Sequence, residues 1–250
     1  MKLIFDIGLF DGADTEYYLQ NNFRVVAVEA NPSLINEAKK KFSSEIETKQ
    51  LTLIHAAISE NSGENIILTV CGDDIGASSI YEQRIDSRNP IGSFQVETIN
   101  IKDLINIYGT PYFIKVDIEG ADRFCVLPLT KDLKPEYFSF EAGDDFIELA
   151  QHLKTIGFSK FKMINQGNFR ELKNQNNLKD KLKSKIVRLL GYEKPTLIRR
   201  SGRFFIRGHS SGPAPWESDG NWQTLEQLIS SWENVKKNNQ LTHWYDIHAH

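Results

Sequence analysis

The stretch IFDIGLFDGADT, residues 4–15, places an apolar strand directly before a glycine loop and the start of a helix. Gly8 and Gly12 can adopt backbone conformations that other residues avoid, and they let the chain pass close to a ligand where a Cβ would clash. The order of strand, glycine turn and helix is typical of the ligand-binding edge of a parallel sheet. It predicts a site for a nucleotide-like ligand.

The stretch VVAVEANP, residues 25–32, supplies the next strand and an acidic residue at its end. Glu29 lies about one βα unit after the glycine loop, where a carboxylate can accept hydrogen bonds from both ribose hydroxyls. The glycine spacing differs from the G-x-G-x-x-G of dinucleotide folds. Asp6, Asp11 and Asp14 would repel a pyrophosphate, whereas they suit a ligand that carries positive charge. The loop therefore favours S-adenosylmethionine, with its sulfonium and α-ammonium groups, over NAD.

Four short blocks resemble the motifs of FkbM-type S-adenosylmethionine-dependent methyltransferases. They are DIGLFDGADT (6–15), VVAVEANP (25–32), HAAIS (55–59) and KVDIEG (115–120). The similarity spans most of residues 1–165, and HSSGPAPWESDGNW (209–222) and WYDIHAH (244–250) resemble the tail of one subgroup. Where many members have Ala-Asn after the first glycine, this chain has Leu9 and Phe10. The resemblance implies methyl transfer to oxygen, or less often nitrogen, of a sugar, natural product or peptide.

The resemblance also implies which residues hold S-adenosylmethionine. They lie in or after the first four main strands: Asp6, Gly8, Phe10, Asp11, Gly12, Thr15, Glu29, Ala30, Ala57 and Asp117. Within this set we expect Gly8 and Gly12 against the methionine half and Glu29 on the ribose. No metal ligand is predicted, although paired carboxylates at this edge are compatible with a divalent cation.

Candidates for proton removal follow the fourth and fifth main strands. A hydroxyl or amide acceptor is a weak nucleophile while protonated, so a base must take or polarise its proton. The predicted catalytic residues are Asp117 and Glu141 at the ends of these strands, together with His209, which lies just after the last predicted strand. Asp117 could instead bond the methionine ammonium group, Glu119 could serve only a helix start, and His209 could be an ordinary loop residue. Lys115, in a buried strand, needs a carboxylate partner such as Glu141.

Strand and helix signals alternate along the chain, and this alternation predicts a parallel sheet. We expect a doubly wound, Rossmann-like class I methyltransferase fold of the α/β class, mainly parallel, with a C-terminal antiparallel strand pair. Strands are predicted at 3–7, 24–29, 51–56, 66–70, 94–99, 112–117 and 137–141, and the antiparallel pair at 160–164 and 203–207. Asn31 and Asp144 are predicted to cap helices. Residues 1–250 are expected to form one domain, with a basic insertion at about 170–200 and a C-terminal extension at about 209–250.

Residues 170–200 carry ten basic and three acidic side chains, in a chain whose formal net charge is −3. Apolar residues at 178, 182, 186, 189 and 190 share one face of a predicted basic helix. This helix could dock on the body, cover the cleft, or contact a membrane surface peripherally. We further expect Lys179, Lys181, Lys183 and Lys185 to recruit an anionic acceptor. Aromatic residues do not interleave with these lysines, which argues against nucleic acid.

Several broader classes are excluded by composition. No window of eighteen apolar residues predicts a membrane span, and residues 1–5 already form a strand rather than a leader. Cys71 and Cys125 lack metal or redox spacing, so we expect free thiols and a cytoplasmic location. The sequence predicts no oligomeric state. Besides an active methyltransferase, a binding protein that retains the fold with a vestigial site stays open.

Overall fold

A computed structural model describes residues 1–71, 90–118, 120–172, 197–237 and 244–250. The strands are β1 Leu3–Ile7, β2 Arg24–Glu29, β3 Leu51–His55, β4 Ala57–Ile58, β5 Asn65–Cys71, β6 Pro90–Ile99, β7 Phe113–Val116, β8 Tyr137–Glu141, β9 Phe161–Asn165, β10 Arg170–Glu171, β11 Leu197–Arg200, β12 Arg203–Ile206 and β13 Tyr245–Ala249. The helices are α1 Ala13–Gln20, α2 Pro32–Lys41, α3 Ser43–Glu47, α4 Ile101–Tyr108, α5 Arg123–Val126, α6 Phe146–Thr155 and α7 Leu225–Lys237, with a 3₁₀ turn at Lys131–Leu133.

Eight strands form the central sheet in the order β10-β9-β13-β8-β7-β1-β2-β3. The pairs β1–β2, β2–β3, β1–β7 and β7–β8 are parallel. β13 is antiparallel to both β8 and β9, so β9 again runs parallel to β8. The order reverses between β1 and β7, and their carboxyl ends flank the crevice at which open α/β sheets bind ligands. The predicted doubly wound, Rossmann-like α/β fold is confirmed.

The C-terminal antiparallel pairing uses different partners from those predicted. Residues 160–164 were expected to pair with 203–207, and this is wrong. β9 pairs with β13 and β10, whereas β12 pairs with β11 in a separate hairpin. All five residues of β13 are buried, including the polar Asp246 and His248. A strand inserted between two others depends on tertiary pairing, which short-range sequence patterns do not encode.

The helices cover both faces of the sheet. Apolar residues of α4, α5, α6 and α7 share one cluster with β7 and β8. On the other face, Tyr17 and Tyr18 of α1 pack with Phe169, Phe205 and Ala214, so the C-terminal extension closes this side. No described helix is both long and apolar enough to cross a bilayer.

The two predicted helix caps have different outcomes. The side chain of Asn31 accepts from the backbone N–H of Ser33 (2.9 Å), and Pro32 follows at the first helical position, as predicted. Asp144 does not cap α6, because the capping position is occupied by Asp145, whose side chain makes no capping hydrogen bond.

A smaller sheet in the order β4-β6-β5 packs beside the main one. Its strands β5 and β6 confirm the predicted strands at 66–70 and 94–99, which pair antiparallel. The loop that holds Gly76, Ser78 and Ser79, the predicted basic helix with Lys179 to Lys185, and Glu119 lie outside the described residues.

Replacing Gly8 with alanine should destabilise the protein by about 2–4 kcal/mol, the combined cost of a left-handed backbone and overpacking. Gly8 has φ +85°, and an added Cβ would lie 1.9 Å from the carbonyl oxygen of Asp117. Gly63 provides a matched control, since it has φ +78° and an added Cβ would meet no described atom within 4 Å. Gly63→Ala should therefore cost about 1 kcal/mol. Urea unfolding followed by circular dichroism measures the free energy of unfolding of both variants. An equal loss of stability in the two would contradict the steric explanation.

Candidate functional site

Backbone hydrogen bonds fix the glycine loop at the switch point, the place between β1 and β7 where the strand order reverses. The N–H groups of Gly8 and Leu9 donate to the carbonyl of Val28 at 3.0 and 3.2 Å, which ties the loop to β2. The N–H of Asp117 donates to the carbonyl of Ile7 at 2.9 Å, which ties the end of β7 to β1. The carboxyl ends of β1, β2 and β7 are therefore held together around one crevice.

Both predicted glycines face neighbours within the chain. A Cβ at Gly8 would collide with the carbonyl of Asp117, and a Cβ at Gly12 would lie 2.6 Å from the ring of Phe42. Sequence reasoning attributed these glycines to the approach of a ligand. In the structure, packing against Asp117 and Phe42 is sufficient to exclude a side chain at either position.

Glu29 holds the loop after β1 through its carboxylate. Its Oε2 accepts from the backbone N–H of Phe10 (3.0 Å) and its Oε1 from that of Asn31 (2.8 Å). Burial raises the pKa of Glu29, although these N–H groups oppose the shift. Each carboxylate oxygen has a second lone pair, so Glu29 can hold the loop and still accept bonds from a ligand. His55 Nε2 lies 3.1 Å from the carbonyl oxygen of the neighbouring Ala30.

Lys115 is the buried centre of a charge network. Its Nζ donates to the carbonyl of Gly8 (3.0 Å) and lies 3.4 Å from Asp6 Oδ1, 3.6 Å from Asp14 Oδ2 and 3.7 Å from Asp117 Oδ2. Burial lowers the pKa of Lys115, but the carboxylates of Asp6, Asp117 and Asp14 raise it by a larger amount. The pKa of Lys115 therefore lies above its ordinary value. The predicted need for a carboxylate partner is thus met by three aspartates.

Besides Gly12, three of the predicted cofactor residues are buried within the chain. Thr15 donates its hydroxyl to Asp6 Oδ2 at 2.6 Å, and both side chains are fully buried. Burial raises the pKa of Asp6 to about 6, with Lys115 opposing the shift and Asp14 adding to it. Ala57 is buried in β4. Thr15 therefore orients Asp6, whose carboxylate in turn lies beside the ammonium group of Lys115.

The C-terminal extension contacts the glycine loop and α1. His209 Nδ1 lies 2.6 Å from Asp11 Oδ2, and the His209 ring lies 5.7 Å from that of Phe10. Ser210 donates its hydroxyl to Asp14, which also accepts from the backbone N–H of Ser211. His209, with 47% of its side chain exposed, is thus brought to the loop, whereas Asp117 and Glu141 lie at the ends of β7 and β8.

Three carboxylates lie side by side at one edge of the sheet, at the ends of β7 and β8 and at the start of the antiparallel β13. Lys115 and Ser139 are in register, so Asp117 and Glu141 follow two residues further along β7 and β8. Asp246 of β13 is directly opposite Glu141. Sequence reasoning missed Asp246, although the alternation of apolar and polar residues in YDIHA is a strand signal. Among the residues that the structure describes, no group of three or more His, Cys, Asp or Glu could hold a metal ion.

The family model described as the methyltransferase FkbM domain matches residues 6–160 of the 250. The chain belongs to the FkbM methyltransferase family. No curated protein matches it.

This FkbM-family chain is also similar to two solved structures. One is a methyltransferase FkbM from Methylobacillus flagellatus KT, with 18% identity over 62% of this chain and 37% of that chain, at a TM-score of 0.42. The other is a precorrin-6y C5,15-methyltransferase from Geobacter metallireducens GS-15, with 15% identity over 66% of each chain, at a TM-score of 0.36. The chain thus spans little more than a third of the first protein.

In this FkbM-family protein, Lys115→Met should destabilise the fold by about 3–5 kcal/mol at pH 7.5, because it leaves buried carboxylates without a counter-charge. The loss should shrink at pH 4.5, where Asp6, whose pKa is raised to about 6, is already neutral. Lys102, on the exposed side of α4, provides the control, and Lys102→Met should stay within about 0.5 kcal/mol of wild type. Chemical unfolding at both pH values tests this, and a loss independent of pH would contradict the charge network.

Proposed function

We propose that this FkbM-family protein is an S-adenosylmethionine-dependent methyltransferase that methylates a hydroxyl oxygen of a sugar, glycan or natural product. The observation that carries the proposal is the charge of the crevice at the switch point. Asp6, Asp14 and Asp117 surround a single ammonium group, that of Lys115. The excess negative charge is complementary to a cationic ligand and unfavourable for a pyrophosphate.

The residues at the crevice fit the two ends of such a cofactor. Asp117 has 38% of its side chain exposed, and its Oδ2 lies 3.7 Å from Lys115 Nζ, so the exposed part can accept hydrogen bonds from the methionine ammonium group. Glu29, at the end of the neighbouring β2, has lone pairs left for ribose hydroxyls. The backbone of residues 8–12 lies between these two carboxylates.

When bound, the cofactor would supply a methyl group already activated on a sulfonium. The chain's own residues would then position the acceptor, exclude water and receive a proton. Asp117 and Glu141 lie at the strand ends where the acceptor would approach. We also propose that the described residues act as one methyltransferase domain in the cytoplasm, where Cys125, a buried free thiol, would stay reduced.

Glu29→Ala should weaken binding of S-adenosylmethionine by about 2–4 kcal/mol, because two charge-assisted hydrogen bonds to the ribose are lost. Titration calorimetry measures the affinity, and NAD should show no binding to the wild type. Since Glu29 also holds Phe10 and Asn31, the melting temperature without ligand must be compared as well. Glu47→Ala, on the exposed end of α3, should bind like wild type. If Glu29→Ala bound S-adenosylmethionine as tightly as wild type, the assignment of Glu29 to the ribose would be wrong.

A further inference from the structure

Asp246 is a buried carboxyl group with an unused hydrogen-bonding position. The residue is 3% exposed at the crevice edge of β13, and its Oδ1 accepts from the side-chain amide of Gln166. Its Oδ2 is buried, and no described residue donates a hydrogen bond to it. Leaving a buried acceptor without a donor is unfavourable, because the desolvation of that oxygen is not compensated. Asp14 differs, because it is equally buried but both of its oxygens accept hydrogen bonds.

The surroundings of Asp246 place it beside the crevice. Glu141 is its direct cross-strand neighbour, and Asp117 ends the next strand along the same face. Burial raises the pKa of Asp246 well above its ordinary value, and the charges of Asp117 and Glu141 raise it further, against the opposing effects of Gln166 and Lys115. The phenol of Tyr18, on α1, also interacts electrostatically with Asp246.

We propose that Asp246 is a catalytic residue whose Oδ2 accepts the proton of the acceptor hydroxyl. The inference rests on the proposed function. The hydroxyl is the donor that this oxygen lacks in the described chain. In the reaction the acceptor's O–H bond breaks and its proton passes to Oδ2. The oxygen's electron pair forms the new bond to the methyl carbon, while the electron pair of the breaking C–S bond stays on sulfur.

The same geometry selects the class of acceptor. A subsite formed by Asp117, Glu141 and Asp246 offers hydrogen-bond acceptors and negative charge. Such a subsite suits the hydroxyl groups of an uncharged sugar or polyol, and it repels a phosphate placed next to it. An anionic acceptor, expected from the lysines at 179–185, is therefore disfavoured at the point of methyl transfer.

A stability measurement tests Asp246 without any acceptor. Asp246→Asn keeps an oxygen for Gln166 but removes the charge. A group whose pKa is raised in the folded state contributes stability that is lost as the pH rises through that pKa. Asp246→Asn should therefore melt about 3 °C above wild type at pH 8, with the difference vanishing near pH 4. The matched variant Asp14→Asn should melt lower than wild type at pH 8, because it breaks satisfied bonds. A lower melting temperature for Asp246→Asn at pH 8 would overturn the proposal.

Methyl transfer provides the second test. The protein is incubated with labelled S-adenosylmethionine and a panel of acceptors. The panel holds uncharged methyl glycosides of glucose, galactose, mannose and rhamnose. Sugar 6-phosphates form its anionic arm and glucosamine forms its amine arm. The wild type should methylate an uncharged glycoside, and Asp246→Asn should lower kcat at least about 100-fold. Its affinity for S-adenosylhomocysteine, measured by calorimetry, should stay within about twofold of wild type.

Three outcomes of this assay would overturn the inference. They are an unchanged kcat in Asp246→Asn, transfer confined to the phosphate or amine arm, and no transfer to any member of the panel. Failure of the wild type to bind S-adenosylmethionine would instead contradict the proposed function itself, so the two failures are distinguishable.

Discussion

The arrangement of the crevice depends on one buried ammonium group. Lys115 joins the carbonyl of Gly8 to carboxylates from β1, α1 and the end of β7. Without its charge, three aspartates would face one another in a region with little water, where like charges repel strongly. With it, the glycine loop, α1 and β7 are held in one geometry, and Asp117 is left with part of its side chain open to the crevice.

The charge at Lys115 belongs to a polar row that crosses the sheet. In register along this row lie Asp6, Lys115, Ser139, His248 and Lys162, all of them buried. At its far end, Lys162 donates to the carbonyl of Ser218 (2.9 Å) and lies over the ring of Trp222. Burial lowers the pKa of Lys162 to about 8. The C-terminal extension thus satisfies one end of the row through Ser218, while Ser210 and Ser211 satisfy Asp14 near the other.

The sequence predicted those parts of the fold whose signals are local. The bounds of β1, β2 and β8 were predicted correctly because each is an apolar run that ends at a glycine loop or an acid. The pairing of β9, the strand β13 and the position of Asp246 opposite Glu141 were missed, since each depends on which distant segments become neighbours. The need for glycine at positions 8 and 12 was predicted, but the atoms that exclude a side chain there, in Asp117 and Phe42, are brought close by the tertiary fold.

β13 comes last among the described strands in chain order, yet it lies between β8 and β9. During synthesis, β8 and β9 are made well before it, and each presents an open edge toward the gap that β13 will fill. Open edges are sites of mispairing between chains. A nascent chain that stalls before β13 would therefore expose these edges and lack the acid at position 246. The pairing that completes the sheet is thus also what places Asp246 beside Glu141.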